Sequence, residues 1–182
     1  QASNWCTYHI GLNGADHNVF LNTTSARQTD TGIWNNTLPT SSVFSVGNNI
    51  DANGNGASHI YYGWAEKQGF SKFGRYTGNG DSDGIFVYTG FRPAWIMIKR
   101  FDSTGNWFIH DNKRVPFNVN NKYISANDNA SEQTFTALDM LSNGFKLRTS
   151  GTGYNASSGS YIYMAFAESP FVNSNGVPNN AR

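Results

Sequence analysis

Apolar positions along this chain fall in short, strand-like runs separated by Gly, Asn, Ser and Thr. Trp95-Ile96-Met97-Ile98 is continuously apolar, as a strand covered on both faces would be. Tyr161-Ile162-Tyr163-Met164-Ala165-Phe166 carries large β-forming residues throughout, and both runs are expected in the core. Turn chemistry punctuates them. Ser142-Asn143-Gly144, ahead of Phe145-Lys146-Leu147, predicts a tight hairpin with positive φ at Asn143 and Gly144, and Asn79-Gly80-Asp81 predicts another. A helical turn is expected only over Thr136 to Met140, and the polar tail from Val172 to Arg182 is expected to be extended or pinned to a neighbour.

The runs recur. Asn4-Trp5 reappears as Asn106-Trp107, Asn53 as Asn155, and His59-Ile60-Tyr61-Tyr62-Gly63-Trp64-Ala65-Glu66 as Tyr161-Ile162-Tyr163-Met164-Ala165-Phe166-Ala167-Glu168, all at an offset of 102. Phe44-Ser45-Val46 answers Phe145-Lys146-Leu147 one residue short of that offset, and Asn22 answers Asn127, as expected when loops vary and strands persist. The fold class predicted is all-β: a tandem repeat of antiparallel β-sandwich, jelly-roll-like modules of about 100 residues. Residues 1–69 would be the C-terminal part of one copy, 70–171 a complete second copy, and 172–182 an extended tail. Copy two opens with the strand-like runs of 84–100, and nothing before Asn4 matches them. A sandwich short of two strands leaves an open edge, so either residues upstream of Gln1 or a neighbouring chain is expected to fill it.

Composition narrows the function classes. Of 182 residues 14% are charged, the formal net charge is +1 and no basic run occurs, which argues against nucleic acid as a partner. No stretch of about 18 apolar residues is present to span a bilayer, so membrane insertion is not expected. The lone Cys6 has no partner for an internal disulfide and is expected as a small core residue.

Few groups suggest catalysis. His9, His17, His59 and His110 lack metal-ligand spacing. Asp102, Asp111, Glu132 and Asp139 are carboxylates that a glycosidase or lyase could use only if two of them faced each other across a groove; solvated loop positions account for them better. Glu66 and Glu168 end the strand that recurs in both copies, and a twin in each copy suits a structural carboxylate bonded to an amide. Asp51-Ala52-Asn53-Gly54-Asn55-Gly56 matches half of a calcium loop, but position twelve is Tyr62. An Asx-rich turn is the better account, which leaves Asp51, Asn53 and Asn55 as weak calcium candidates and no other cofactor. Among the aromatic residues Trp5, Trp64, Trp95 and Trp107 sit in strand patterns and are expected in the core. Trp34 has loop-like neighbours and Tyr154 is similarly placed, so each ring is either packed at a core or module interface or exposed as a ligand platform. With Asn35 and Asn155 they form the candidate ligand-binding set.

Gly69-Phe70-Ser71-Lys72-Phe73-Gly74-Arg75-Tyr76-Thr77-Gly78-Asn79-Gly80, followed by Asp83 to Pro93 and Ile96 to Arg100, resembles a repeat found in tail-fibre and related structural proteins of marine tailed bacteriophages. The likeness continues through Leu141 to Arg148, Asn155-Ala156-Ser157 and Tyr161 to Glu168, and covers nearly the whole chain. Copy one resembles the penultimate repeat of such proteins, with Trp34-Asn35 and Pro39 to Ser45. The resemblance implies a virion surface location, homo-oligomers, contacts with other virion proteins and with a host-surface glycan or protein, and no enzymatic motif. Loops 32–37 and 152–159 would then meet a receptor. A capsid-decorating or head-fibre protein and a tail-spike polysaccharide depolymerase are the alternative readings.

Overall fold

The computed structural model describes residues 3–169, so the predicted tail from 172 onward lies outside the described residues. Two antiparallel sheets carry the fold. The small one joins β1 (Cys6–Thr7), β2 (His17–Phe20) and β3 (Gln28–Thr29) in that order. It is followed by two single helical turns, α1 (Thr31–Trp34) and α2 (Ile50–Asn53). The large sheet is built from β4 (Ser71–Thr77), β5 (Phe86–Tyr88), β6 (Pro93–Arg100), β7 (Trp107–Asp111), β8 (Asn120–Ser125), β9 (Gln133–Leu141), β10 (Gly144–Leu147) and β11 (Ser160–Ala167), with the turn α3 (Thr152–Asn155) before the last strand. Its order is β4-β11-β6-β7-β8-β9-β10-β5.

The all-β expectation therefore holds, but the described strands form one large and one small sheet and do not show a tandem repeat of sandwich modules. One eight-stranded sheet curls back on itself into a near-barrel. Ile96 and Ile98 of β6, Tyr161, Tyr163 and Ala165 of β11 and Tyr76 of β4 meet Ala137, Leu138 and Met140 of β9, Phe145 and Leu147 of β10 and Val87 of β5 in one core. The bend falls at β8, where the register to β9 shifts between Asn120 and Lys122; a bulge of this kind turns a strand and increases its twist. Just before it, the Asn118 amide bonds both the N–H and the C=O of Met140, each at 2.9 Å, and extends the ladder by one side chain.

Both apolar runs singled out in the sequence are central strands, with β11 pairing β4 on one side and β6 on the other. Thr136 to Met140 is strand, not helix. Leu138 pairs Leu147 and Met140 pairs Phe145, and this cross-strand packing outweighs local preference. The β9–β10 hairpin forms as predicted, yet Asn143 and Gly144 are absent from the residues with positive φ. Asn79-Gly80-Asp81 is no hairpin either: the chain leaves β4 at one end of the sheet order and enters β5 at the other.

That crossing is fastened by backbone bonds, Gly78 N–H to Gly159 O, Ser158 N–H to Gly78 O and Gly84 N–H to Leu147 O, and by one buried amide. Asn155, at the end of α3 and 0% exposed, donates from Nδ2 to Asn79 Oδ1 (2.7 Å), Asp81 O (2.8 Å) and Thr149 O (2.9 Å). Its Oδ1 accepts the Asn79 N–H at 2.9 Å and its carbonyl accepts the Gly80 N–H at 2.9 Å. The loop passes so close that any Cβ at Gly78 would collide with the Ala156 carbonyl, which explains the glycine there. Beside it the Tyr76 hydroxyl donates to Tyr154 O at 2.9 Å.

The N-terminal segment packs on the outer face of β6, β7 and β11. Leu12 and Val19 join Phe101, Trp107 and Ile162 in a second apolar cluster. Polar contacts pin it: Trp107 Nε1–H to Phe20 O (2.9 Å), His9 Nε2–H to Tyr163 O (3.0 Å), Arg27 N–H to Phe101 O (2.8 Å), and the Lys99 ammonium (3.0 Å) and Gly105 N–H (2.9 Å) to Thr24 O, with Lys99 also donating to Gly105 O (2.5 Å). Lys99 is fully buried, and burial pushes its pKa down to about 8. One local arrangement occurs twice. Asn127 Oδ1 accepts the Trp107 N–H (2.7 Å) while its amide donates to Asn106 Oδ1 (3.1 Å); Asn22 Oδ1 accepts the Trp5 N–H (2.9 Å) while its amide donates to Asn4 Oδ1 (3.3 Å).

Two predictions follow from these contacts. Asn155→Ala strands several buried partners and is expected to cost about 3 kcal/mol in denaturant unfolding, whereas Asn53→Ala, whose exposed amide bonds only Gly47 O, costs under about 1 kcal/mol. Acid sensitivity is the second. Burial lowers the pKa of both His9 and His110 to about 4, so each imidazole stays neutral in the folded chain at pH values where it is protonated when unfolded. Stability is complete above about pH 6.5 and declines as pH falls toward 4, by up to about 3 kcal/mol per histidine. Urea midpoints measured from pH 7.5 to 4.5 check this, and His110→Gln is expected to flatten the slope.

Candidate functional site

An open cleft of about 460 Å3 lies in the N-terminal segment, between the turn α1 and residues 46–48. Asp30 builds it. Its Oδ1 caps α1 by accepting the Gly32 N–H at 2.7 Å and its Oδ2 accepts the Asn49 amide at 2.7 Å. Two backbone bonds then lock the walls together, Gly47 N–H to Ile33 O and Asn49 N–H to Gly32 O, each 2.9 Å. A Cβ at Gly47 would run into the Gly32 backbone, so only glycine lets the walls come this close. The lining is Thr31, Gly32, Asn35, Asn36, Val46, Gly47 and Asn48, with no ionisable side chain. Asn35 and Asn36 both adopt left-handed φ, 52° and 46°, a conformation Asn tolerates better than most residues. With Asn48 they present three exposed amides at the rim.

Of the four residues expected to contact ligand, only Asn35 lines this cleft. Trp34 is not an open platform: it is 7% exposed, packs with Phe20, Ile33 and Ala52, and meets Tyr8 edge-on at 6.1 Å. Tyr154 is 3% exposed, stacked on Phe108 at 4.4 Å and Phe135 at 5.8 Å, with its hydroxyl donating to His110 Nε2 at 2.9 Å. The other ring nitrogen of His110 donates to Asn120 Oδ1 at 3.0 Å, which fixes the neutral tautomer. Asn155 is the buried fastening described above. Within 152–159, Tyr154 and Asn155 therefore serve packing and closure of the sheet, while Thr152, Ser157 and Ser158 are exposed.

Of the calcium candidates, Asp51 and Asn53 are engaged elsewhere, while Asn55 is exposed. Asp51 lies in α2, and its two oxygens accept the backbone N–H and the amide of Asn4 at 3.1 and 3.2 Å. Asn53 donates to Gly47 O at 2.9 Å, helping to hold the cleft wall. Among the described residues no three His, Cys, Asp or Glu side chains converge. Cys6 is half-buried on β1, and burial, followed by the Asp51 and Asp30 carboxylates, pushes its thiol up to about 11, well away from a reactive thiolate.

Each candidate carboxylate meets a cation. Asp102 pairs with Arg100 (2.7 Å), Asp139 with Arg148 (3.4 Å), and Asp111 and Glu132 converge on Arg114 (2.7 and 3.3 Å). Glu168 pairs with Arg92 at 3.1 Å and accepts the Asn112 amide at 2.9 Å, while Glu66 holds Lys72 at 2.7 Å and accepts the Phe73 N–H at 3.4 Å. Glu168 thus accepts a loop amide, the role expected of both glutamates, whereas the N–H that Glu66 accepts belongs to strand β4.

One surface escaped the sequence reading. Trp107 is core and Trp95 half-buried, but Trp5 and Trp64 are not core residues. With Tyr62 they form an exposed row of near-parallel rings, Trp5 to Tyr62 at 6.4 Å and Tyr62 to Trp64 at 6.3 Å. The signal was present as spacing, since Tyr62 and Trp64 lie two residues apart and their rings stack, but nothing in the sequence marked them as uncovered.

Fold and cleft together define a curled antiparallel β protein with a neutral, amide-rimmed depression on its N-terminal segment. Residues 1–170 match the family described as Domain of unknown function (DUF7483), and the chain belongs to that family. No curated protein and no solved structure matches it.

Proposed function

We propose that this chain is a non-covalent adhesion module of a bacteriophage virion, of the tail-fibre kind, that holds an uncharged host-surface glycan in the cleft between α1 and Val46-Gly47-Asn48. The observation that carries this reading is the lining: hydroxyl, backbone and three exposed amide groups, with no charge, match the donors and acceptors of sugar hydroxyls. Ion pairing at Asp102, Asp111, Glu132 and Asp139 favours passive binding over cleavage. The setting rests on the resemblance of Gly69 to Pro93 and of Tyr161 to Glu168 to the fibre repeat.

The same reading takes residues 1–69 as a partial copy, and 70–171 as a complete copy, of one β-sandwich module. Its support is the matched pair of Asn–Trp–Asn bonding arrangements at residues 4, 5, 22 and 106, 107, 127, together with the position of Asn53 and Asn155 at the ends of equivalent helical turns.

Glycan-array screening followed by titration calorimetry on the best uncharged hit tests the cleft. Asn35→Ala with Asn48→Ala is expected to weaken binding at least tenfold while the far-ultraviolet circular dichroism is unchanged. Unaltered affinity in the double variant, or release of new reducing ends from the bound glycan, contradicts the proposal.

A further inference from the structure

In an Asn-Gly pair the glycine nitrogen can attack the carboxamide before it, because no Cβ on the glycine obstructs the approach. Among the described residues the pair occurs at Asn13, Asn53, Asn55, Asn79 and Asn143; a further one at Asn175 lies outside them. The attack needs a free carboxamide, a free glycine N–H and room for the glycine to turn. Four of the five pairs lack at least one of these. Asn53 donates to Gly47 O at 2.9 Å, and the Gly54 N–H is held by His59 Nε2 at 3.0 Å. Asn79 accepts from the buried Asn155 amide at 2.7 Å, and the Gly80 N–H is held by Asn155 O at 2.9 Å. Gly144 is buried opposite Leu141, with Val87 O where a side chain would begin. Gly14 is blocked in the same way by the His17 ring, and its turn is bonded on both sides, Asn13 N–H to Ile10 O (3.4 Å) and His17 N–H to Gly14 O (3.5 Å).

Asn55-Gly56 meets all three conditions. It forms the corner of a turn closed by Ala57 N–H to Gly54 O at 3.0 Å, with Gly56 at a φ of 73°. Both residues are exposed, and neither the Asn55 carboxamide nor the Gly56 N–H has a partner among the described residues. No atom lies within 4 Å of where a Gly56 side chain would begin. We infer that Asn55 is a site of spontaneous covalent modification, deamidated and isomerised through a cyclic imide with Gly56. The Gly56 nitrogen bonds to Asn55 Cγ, the Cγ–Nδ2 bond breaks, and the departing amide takes the Gly56 proton and leaves as ammonia. Water then opens the ring at either carbonyl, giving aspartate or, with the peptide bond moved onto the side chain, isoaspartate. Each conversion adds one carboxylate and lowers the formal net charge of +1 by one unit, which removes the mutual repulsion between copies. The isoaspartate form also lengthens the backbone inside the turn that leads from α2 to Tyr62 and Trp64.

Peptide mapping of the chain after incubation at mildly alkaline pH tests the inference, with tandem mass spectrometry to separate Asn53 from Asn55 and methyltransferase labelling to count isoaspartate. In the folded chain Asn55 is expected to convert about tenfold faster or more than Asn13, Asn53, Asn79 and Asn143, whose conversion must wait for local opening. Incubation in urea separates fold from sequence: the Asn55 rate is expected to change little, while the other four rise toward it. Conversion at Asn55 no faster than at Asn79 in the folded chain, or accelerated by urea as much as the others, overturns the inference. The cleft plays no part in this chemistry, so the outcome is independent of the binding proposal.

Discussion

The eight-stranded sheet depends on how its open mouth is closed. Its first and last strands in spatial order, β4 and β5, are consecutive in sequence and do not pair, so the loop between them must bridge the mouth of a curled sheet. Backbone bonding in strands cannot provide that bridge. The Asn155 amide does, reaching Asn79 and Asp81 on the loop and Thr149 beyond β10 from one buried point. Because both its donors and its acceptor are used, the side chain acts as a small piece of ladder between elements that never become neighbours. Tyr76 can then fill the mouth from inside, edge-on to Phe145 and bonded through its hydroxyl to Tyr154 O.

How much of this could be read from the chain alone depended on whether the signal was local. The strands at Trp95 and Tyr161 were legible because continuous apolar runs fit only covered positions in a sheet. The all-β class followed. Thr136 to Met140 misled because the helical signal was weighed without its partners Phe145 and Leu147 across the hairpin. Trp34 and Tyr154 looked like loop residues because Gly, Asn and Thr surround them; in the fold those small residues are what lets each turn sink its ring inward. Asn35, named from the sequence, does line the cleft, while Asn36, Asn48 and Gly47 were not named, since the far wall is brought in by backbone bonds such as that between Ile33 and Gly47 that leave no spacing pattern.

The repeated residues were visible as an offset, and their physical meaning differs between the two occurrences. Asn106-Trp107 and Asn4-Trp5 use the same local bonding, yet Trp107 is sealed by the N-terminal segment and Trp5 stands exposed beside Tyr62. Asn155 closes a sheet, whereas Asn53 steadies a cleft wall. Equivalent sequence therefore produces core where strands surround it and surface where they do not. This contrast links the packed half of the molecule to the open half, and it places the aromatic row and the neutral cleft on the same N-terminal segment.

Native-state hydrogen exchange, resolved amide by amide, tests the central claim that Asn155 makes loop and sheet one cooperative unit. The Asn79 and Gly80 N–H groups, both bonded to Asn155, are predicted to exchange with the same opening free energy as the Ile162 and Tyr163 amides of β11. Exchange of the loop amides many orders of magnitude faster than those of β11 would contradict the account, since the loop would then open freely while the sheet stays closed.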